Sequence, residues 1–233
     1  MEKKETTKYI IGIDEVGRGP IAGPVAVCAF LSKDNKFLLS CSNADYLKEK
    51  KLPKLKDSKK LSKKQREIWF EYLKVAKTEG KCSYEVSFVS PENIDKFGIA
   101  KCIQKALNKS LIKITSSENL FERSSDEGGR GARPSQKDIQ NQLSLFHIFL
   151  DGGLHAPSEY VNQETIIRGD ELHPVISMAS IIAKVTRDRI MTNYAIEYPL
   201  YGFEKHSGYG TKAHYSAIKT HGQTPIHRKS FIH

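Results

Sequence analysis

Cysteine is scarce in this chain. Its four residues, Cys28, Cys41, Cys82 and Cys102, include no Cys-x-x-Cys pair. That usage argues against a disulfide-stapled secreted scaffold and a thiolate zinc site, and suits reduced thiols in a cytosol. Long apolar runs are also missing. None approaches the roughly 20 residues that a membrane span needs. The opening MEKKETTKYIIGID carries charges but no extended apolar stretch of the secretory kind. A cytoplasmic location without a membrane partner is therefore expected. Acidic residues are outnumbered, since 37 Lys and Arg against 27 Asp and Glu leave a formal charge of +10. Hydrophobic residues still make up 39% of the 233 positions, enough for a packed core in one large or two small domains.

The excess charge is local. Residues 48–64, KEKKLPKLKDSKKLSKK, hold nine Lys against Glu49 and Asp57. Two readings stay open: a solvated loop, or a surface that gains affinity for nucleic acid by releasing counterions from phosphates. The basic tail PIHRKSFIH would add to such a surface. The five His after position 205 (206, 214, 221, 227, 233) fit no zinc spacing and read as solvated or phosphate-adjacent.

The pattern of elements is α/β. YIIGI (9–13) reads as a buried strand, followed by the turn VGRGPIAGP and a second strand, VAVCAFL (25–31). The polar stretch from about 32 to 57 reads as a long loop. Ser62 with Gln65 forms a capping box, and Ile68, Trp69, Tyr72, Leu73 and Ala76 mark one helical face that Gly80 ends. SYEVSFV (83–89) alternates as a strand, and Ser90-Pro91 opens a helix broken at Gly98 and resumed to about Ile114. Residues 115–142, poor in large apolar groups, read as a flexible insertion. Strands are predicted at 143–151 and 164–170, a long helix at 175–198, a loop at YGFEKHSGYG, and a helix from Thr211 to Gly222.

Three of these strands end in acid: Asp14-Glu15, Asp151 and Asp170. A lone Asp at such a place serves as a turn residue or cap. Several converging carboxylates repel one another unless a cation joins them, and an all-oxygen set suits Mg²⁺ or Mn²⁺. Two such ions can activate a water and stabilise the leaving oxygen in phosphodiester cleavage. Glu15 can join Asp14 only if the strand ends there, because neighbouring residues on a strand face opposite ways. GRGPIAG is neither a dinucleotide fingerprint nor a Walker loop. Its glycines let backbone approach a ligand closely.

IGIDEVGRGPIAGPV, DSKKLS (57–62), FLDG (149–152), RGDE (168–171), MASIIAKVTRDR (178–189) and HSGYGTKAH (206–214) follow one another as in bacterial-type ribonuclease HII, the type 2 ribonuclease H family, which the chain resembles over nearly its whole length. Ribonuclease HIII differs in its glycine motif and carries an extra N-terminal domain. The resemblance implies an RNase H-like fold over 1–233: a central mixed sheet flanked by helices, with a basic helical extension over about 200–233. It implies endonucleolytic cleavage of RNA in RNA–DNA hybrids and at ribonucleotides embedded in duplex DNA, leaving a 3′-hydroxyl and a 5′-phosphate, by a monomer.

Carried over by position, the metal-binding and catalytic carboxylates are Asp14, Glu15, Asp151 and Asp170, holding two Mg²⁺ or Mn²⁺ ions with substrate bound. Gly17, Arg18 and Gly19 would read the 2′-hydroxyl at the junction and Tyr209 the sugar beyond it, while Lys59, Ser180 and Lys184 would contact phosphates. Relatives usually carry an Asn-containing stretch where this chain has FGIAKC (97–102), so no contact is carried over there. Two rivals remain. A junction resolvase on the same fold has no need to detect a 2′-hydroxyl, and a non-enzymatic RNA-binding protein leaves the strand-end carboxylates unexplained.

Overall fold

The computed structural model describes residues 8–117 and 135–232. Five strands lie in one mixed sheet: β1 (Tyr9–Val16), β2 (Val25–Ser32), β3 (Cys82–Val89), β4 (Phe146–Asp151) and β5 (Gln163–Ile166). Their order is β3-β2-β1-β4-β5. β1 pairs antiparallel with β2, placing Asp14 opposite Cys28, and parallel with β4, placing Ile13 opposite Leu150. The helices, in chain order, are α1 (Asn35–Ser40), α2 (Ala44–Glu49), α3 (Lys63–Thr78), α4 (Pro91–Phe97), α5 (Ile99–Ser117), α6 (Gln136–Leu143), α7 (Gly169–Leu172), α8 (Pro174–Glu197), α9 (Phe203–His206) and α10 (Lys212–His221).

Period-two alternation sends Ile11 and Ile13, with Ile148 and Leu150, to one face of the sheet, where α5 covers them. Cys28 and Phe30 face the other way, against α8 and α3. α8 is buried on nearly every side from Val175 to Ala183, because it runs between the sheet and α3. Its small residues allow close approach. A Cβ at Gly12 on β1 would collide with the backbone carbonyl of Val175. A third, smaller cluster of Ala22, Met191, Tyr201, Phe203 and Ile226 joins the C-terminal part to the rest.

The capping box of Ser62 and Gln65 opens α3, Ser90 with Pro91 opens α4, and Thr211 and Gly222 bound α10. Four expectations are corrected. Residues 32–57 are not one long loop, for α1 and α2 form there on the caps Asp34 and Asn43, held down by Phe37, Leu38 and Leu47. The insertion over 115–142 is helical at both described ends, and 118–134 lie outside the described residues. The strand expected at 164–170 stops at Ile166, and Asp170 sits on α7 instead. The loop at YGFEKHSGYG contains α9.

A candidate active site at the end of the central strands

β1 continues to Val16, so the strand does not end at Glu15 as expected. Glu15 is nevertheless close enough to the other acids to raise the Asp14 pKa and to be raised by Asp151. The parallel pairing of β4 with β1 stops at Ile13 and Leu150, which leaves the β1 backbone open on that side from Asp14 onward. Asp151, one step past Leu150, lies beside Asp14 on the face that α8 covers. The Glu15 N–H donates to Asp14 Oδ1 at 2.7 Å. Asp170 arrives from α7, and its N–H donates to Asp151 Oδ1 at 3.3 Å.

The electrostatics fit four acids crowded together. Burial pushes the Asp14 carboxyl well above the usual carboxylate range, and Glu15, Asp151 and Asp170 add to the rise, while a hydrogen bond from Ser180 opposes it. Burial also raises Glu15, against Arg18, whose guanidinium lies 3.6 Å away. Asp170 is raised to about 6 by burial, by Asp151, and by Asp57. Asp57, in the DSKKLS motif, is a third buried carboxylate beside Asp14 and Asp170, to which the sequence reading gave no role; its motif was visible but its neighbour was not.

Lys59 Nζ stands 3.7 Å from Asp170 Oδ2. Burial works against its charge, but Asp57, Asp14, Asp170 and Asp151 outweigh that and raise its pKa. Ser180 is buried, its hydroxyl 2.8 Å from that of Ser58, and its effect lowers the Asp14 pKa against the rise from burial. Lys184 pairs with Asp188 at 2.9 Å and, with Tyr209, Lys63 and Arg66, lines a cleft of about 440 Å³.

Among the described residues, no three His, Cys, Asp or Glu groups close a metal shell by themselves. The donor set nevertheless fits a hard divalent cation. It is all oxygen, and its buried members bear raised pKa values that a cation would relieve, with water and substrate oxygens completing the coordination.

The glycine turn divides between packed and exposed residues. Gly17 has φ +93° and Gly23 φ +84°, and a Cβ at either would meet the Arg187 side chain, with Met191 also in the way at Gly23. Those two glycines serve internal packing. Gly19 is exposed with open space around it, so of the three residues in GRG it is the glycine that packing does not explain.

The His and tail expectations are corrected in part: His221 and Lys229 are exposed, and His233 lies outside the described residues. His214 and His227 are buried, with Nε2 atoms 3.1 Å apart, and His206 stacks on His214 at 4.4 Å. Arg228, in the supposedly phosphate-facing tail, is fully buried. All nine Lys of 48–64, by contrast, are exposed, with Leu47, Leu52 and Leu61 anchoring the segment.

A mixed sheet with carboxylates at the ends of its central strands, backed by one long buried helix, defines an RNase H-like nuclease. A family model described as Ribonuclease HII matches residues 11–120 and 136–233. The ribonuclease HII of Endomicrobium trichonymphae is 38% identical over 223 residues, covering 95% of this chain and 84% of the relative. That of Clostridioides difficile strain 630 is 37% identical over 224 residues, covering 96% and 70%. In fold, the chain resembles RNase HII in the PCNA:RNase HII complex from Archaeoglobus fulgidus (TM-score 0.59, 24% identity, 96% of this chain and 95% of that one). It also resembles Bst-RNase HIII in complex with Mn²⁺ (TM-score 0.60, 16% identity, 97% and 68%). The chain belongs to the ribonuclease HII family, and with it to the type 2 ribonucleases H, which are hydrolytic endonucleases.

Proposed function

We propose that the chain hydrolyses the RNA strand of RNA–DNA hybrids and the phosphodiester at single ribonucleotides embedded in duplex DNA. The observation that carries this reading is the meeting of Asp14, Glu15, Asp151 and Asp170 beside an exposed glycine turn. In the reaction a water oxygen bonds to phosphorus, the P–O3′ bond breaks, and O3′ takes up a proton. The products are a 3′-hydroxyl and a 5′-phosphate. Mg²⁺ or Mn²⁺ held by the four carboxylates, two ions with substrate present, would supply activation of the water and charge stabilisation at the leaving oxygen.

The chain's own groups do the rest. Lys59 neutralises charge beside Asp170 and is placed to meet a phosphate. Lys184 faces the cleft that Tyr209 borders. Ser180, expected to contact phosphate, lies buried against Ser58 at the edge of the carboxylate cluster and helps hold the Asp14 pKa down. Arg18 and Gly19, on the turn that Gly17 shapes, present backbone to the 2′-hydroxyl, the group by which a protein separates RNA from DNA. Tyr209, 44% exposed, offers a ring to the sugar that follows, where an added 2′-hydroxyl would crowd it.

The test is cleavage of duplex DNA carrying one ribonucleotide, with and without Mg²⁺, alongside a long hybrid. Cleavage of both substrates, dependent on the cation, is expected. Tyr209→Ala should depress cleavage at the single ribonucleotide more than on the hybrid. Equal losses would show that Tyr209 positions substrate generally and does not read the junction.

A further inference from the structure

Arg187 on α8 and Arg228 near the C-terminus are both fully buried. Buried cations are costly unless paired or fully hydrogen-bonded. Among the described residues neither has a carboxylate partner; each spends its guanidinium on backbone carbonyls. Arg228 donates from Nε to Gly23 O at 2.9 Å, from Nη1 to Arg18 O at 3.1 Å, and from Nη2 to Gly17 O at 2.7 Å. Arg187 donates from Nε to Pro24 O at 2.8 Å, from Nη2 to Ala22 O at 3.2 Å, and from Nη1 to Ser207 O at 3.0 Å.

Five of these six carbonyls belong to the turn between β1 and β2. The sixth lies two residues before Tyr209. A trans peptide points its C=O and the following N–H in opposite directions. Drawing the Gly17 and Arg18 carbonyls inward therefore turns the N–H groups of Arg18 and Gly19 outward, at the two residues of the turn that are exposed. Further bonds join the same pieces: Ile21 N–H to Gly208 O at 2.9 Å, Gly23 N–H to Ile226 O at 2.8 Å, and Arg228 N–H to Ile21 O at 2.8 Å.

We infer that Arg187 and Arg228 are positioning residues that hold the glycine turn and the Tyr209 turn as one rigid reader of the RNA–DNA junction. Arg228 sets the direction of the turn's peptides, and Arg187 sets the distance between its two halves. The inference rests on the function proposed above, and it gives Gly17 a purpose, since a side chain there would displace Arg187, while one at Gly23 would strike Met191 and crowd Arg187.

The test uses Arg228→Lys and Arg187→Lys. Lysine keeps the charge but has one nitrogen in place of the planar fork, so it cannot reach three separated carbonyls. Affinity is measured in EDTA for a duplex with one ribonucleotide and for its all-DNA counterpart. Each variant should lose at least tenfold of the wild-type preference for the ribonucleotide. A variant with lowered melting temperature but undiminished preference would overturn the inference, because a merely structural arginine moves the first and not the second.

If neither variant folds, wild-type protein decides. The Nε–H protons of Arg187 and Arg228 should exchange at least a hundredfold more slowly than that of exposed Arg18 by ¹⁵N NMR; comparable rates would overturn the brace. If wild-type protein binds both duplexes equally, junction reading by the turn has failed instead, and the exchange rates alone judge the brace.

Discussion

Acidification should loosen the turn that carries Tyr209, and the His214→Asn variant isolates the effect. His227 Nδ1 accepts from Thr224 N–H and Oγ1 at 2.8 Å each, so its Nε2 carries the proton and donates to His214 Nε2. His214 Nδ1 then donates to the Tyr209 carbonyl at 2.9 Å. This network assigns both tautomers and leaves His214 no site for a second proton. Burial first, with His206 and His227 assisting against the Tyr209 carbonyl, brings the His214 pKa from 6.5 down to about 4.

The folded value lies below the unfolded one, so the unfolded chain binds more protons between them. The stabilisation is complete above pH 6.5 and is lost as pH falls toward 4. A gap of about 2.5 in pKa, at 1.36 kcal/mol for each, makes this roughly 3 kcal/mol at most. Asp170 works in the opposite sense without metal. Its folded pKa of about 6 exceeds the ordinary 3.8, so it adds stability as pH falls through 6. The raw stability curve thus mixes two trends, and only the difference between wild type and His214→Asn isolates the imidazole. Urea unfolding in EDTA at pH 7 and pH 4.5 should show the wild-type advantage shrinking by about 2–3 kcal/mol. A pH-independent difference would refute the reasoning.

Asp14→Asn should abolish cleavage and raise the metal-free melting temperature, because burial and three neighbouring acids make ionised Asp14 costly; near-wild-type activity would remove Asp14 from the site. Gly12→Ala should cost about 1–3 kcal/mol in urea unfolding, since its Cβ meets the α8 backbone at Val175, and backbone cannot rotate away. Unchanged stability would contradict that packing. Hybrid affinity should fall steeply with salt, log K dropping per tenfold rise in salt by roughly 0.9 for each phosphate neutralised on B-form DNA and by a somewhat different amount on a hybrid. The exposed Lys of 48–64 should carry this effect and buried Arg228 should not, so a salt-insensitive constant would exclude the Lys surface.

Local signals in the chain specified much of this protein. The caps Ser62, Ser90 and Thr211, the apolar run of β1, the alternation in β3 and the helical periodicity of α8 act over a few residues and hold whatever surrounds them. The four carboxylates were legible for the same reason, each standing in a short motif at or just after a strand. Tertiary structure decided what depends on partners distant in sequence. Glu15 feels Asp14 and Asp151 although it remains paired within β1, and Asp170 joins because α7 turns it back toward Asp151. α1 and α2, two short helices with few apolar residues, form because the core accepts Phe37, Leu38 and Leu47. Arg187, Arg228 and the buried histidines read as solvent-seeking in any local window. Their burial rests on carbonyls and rings up to 211 positions away, and only the folded chain brings those within hydrogen-bonding distance.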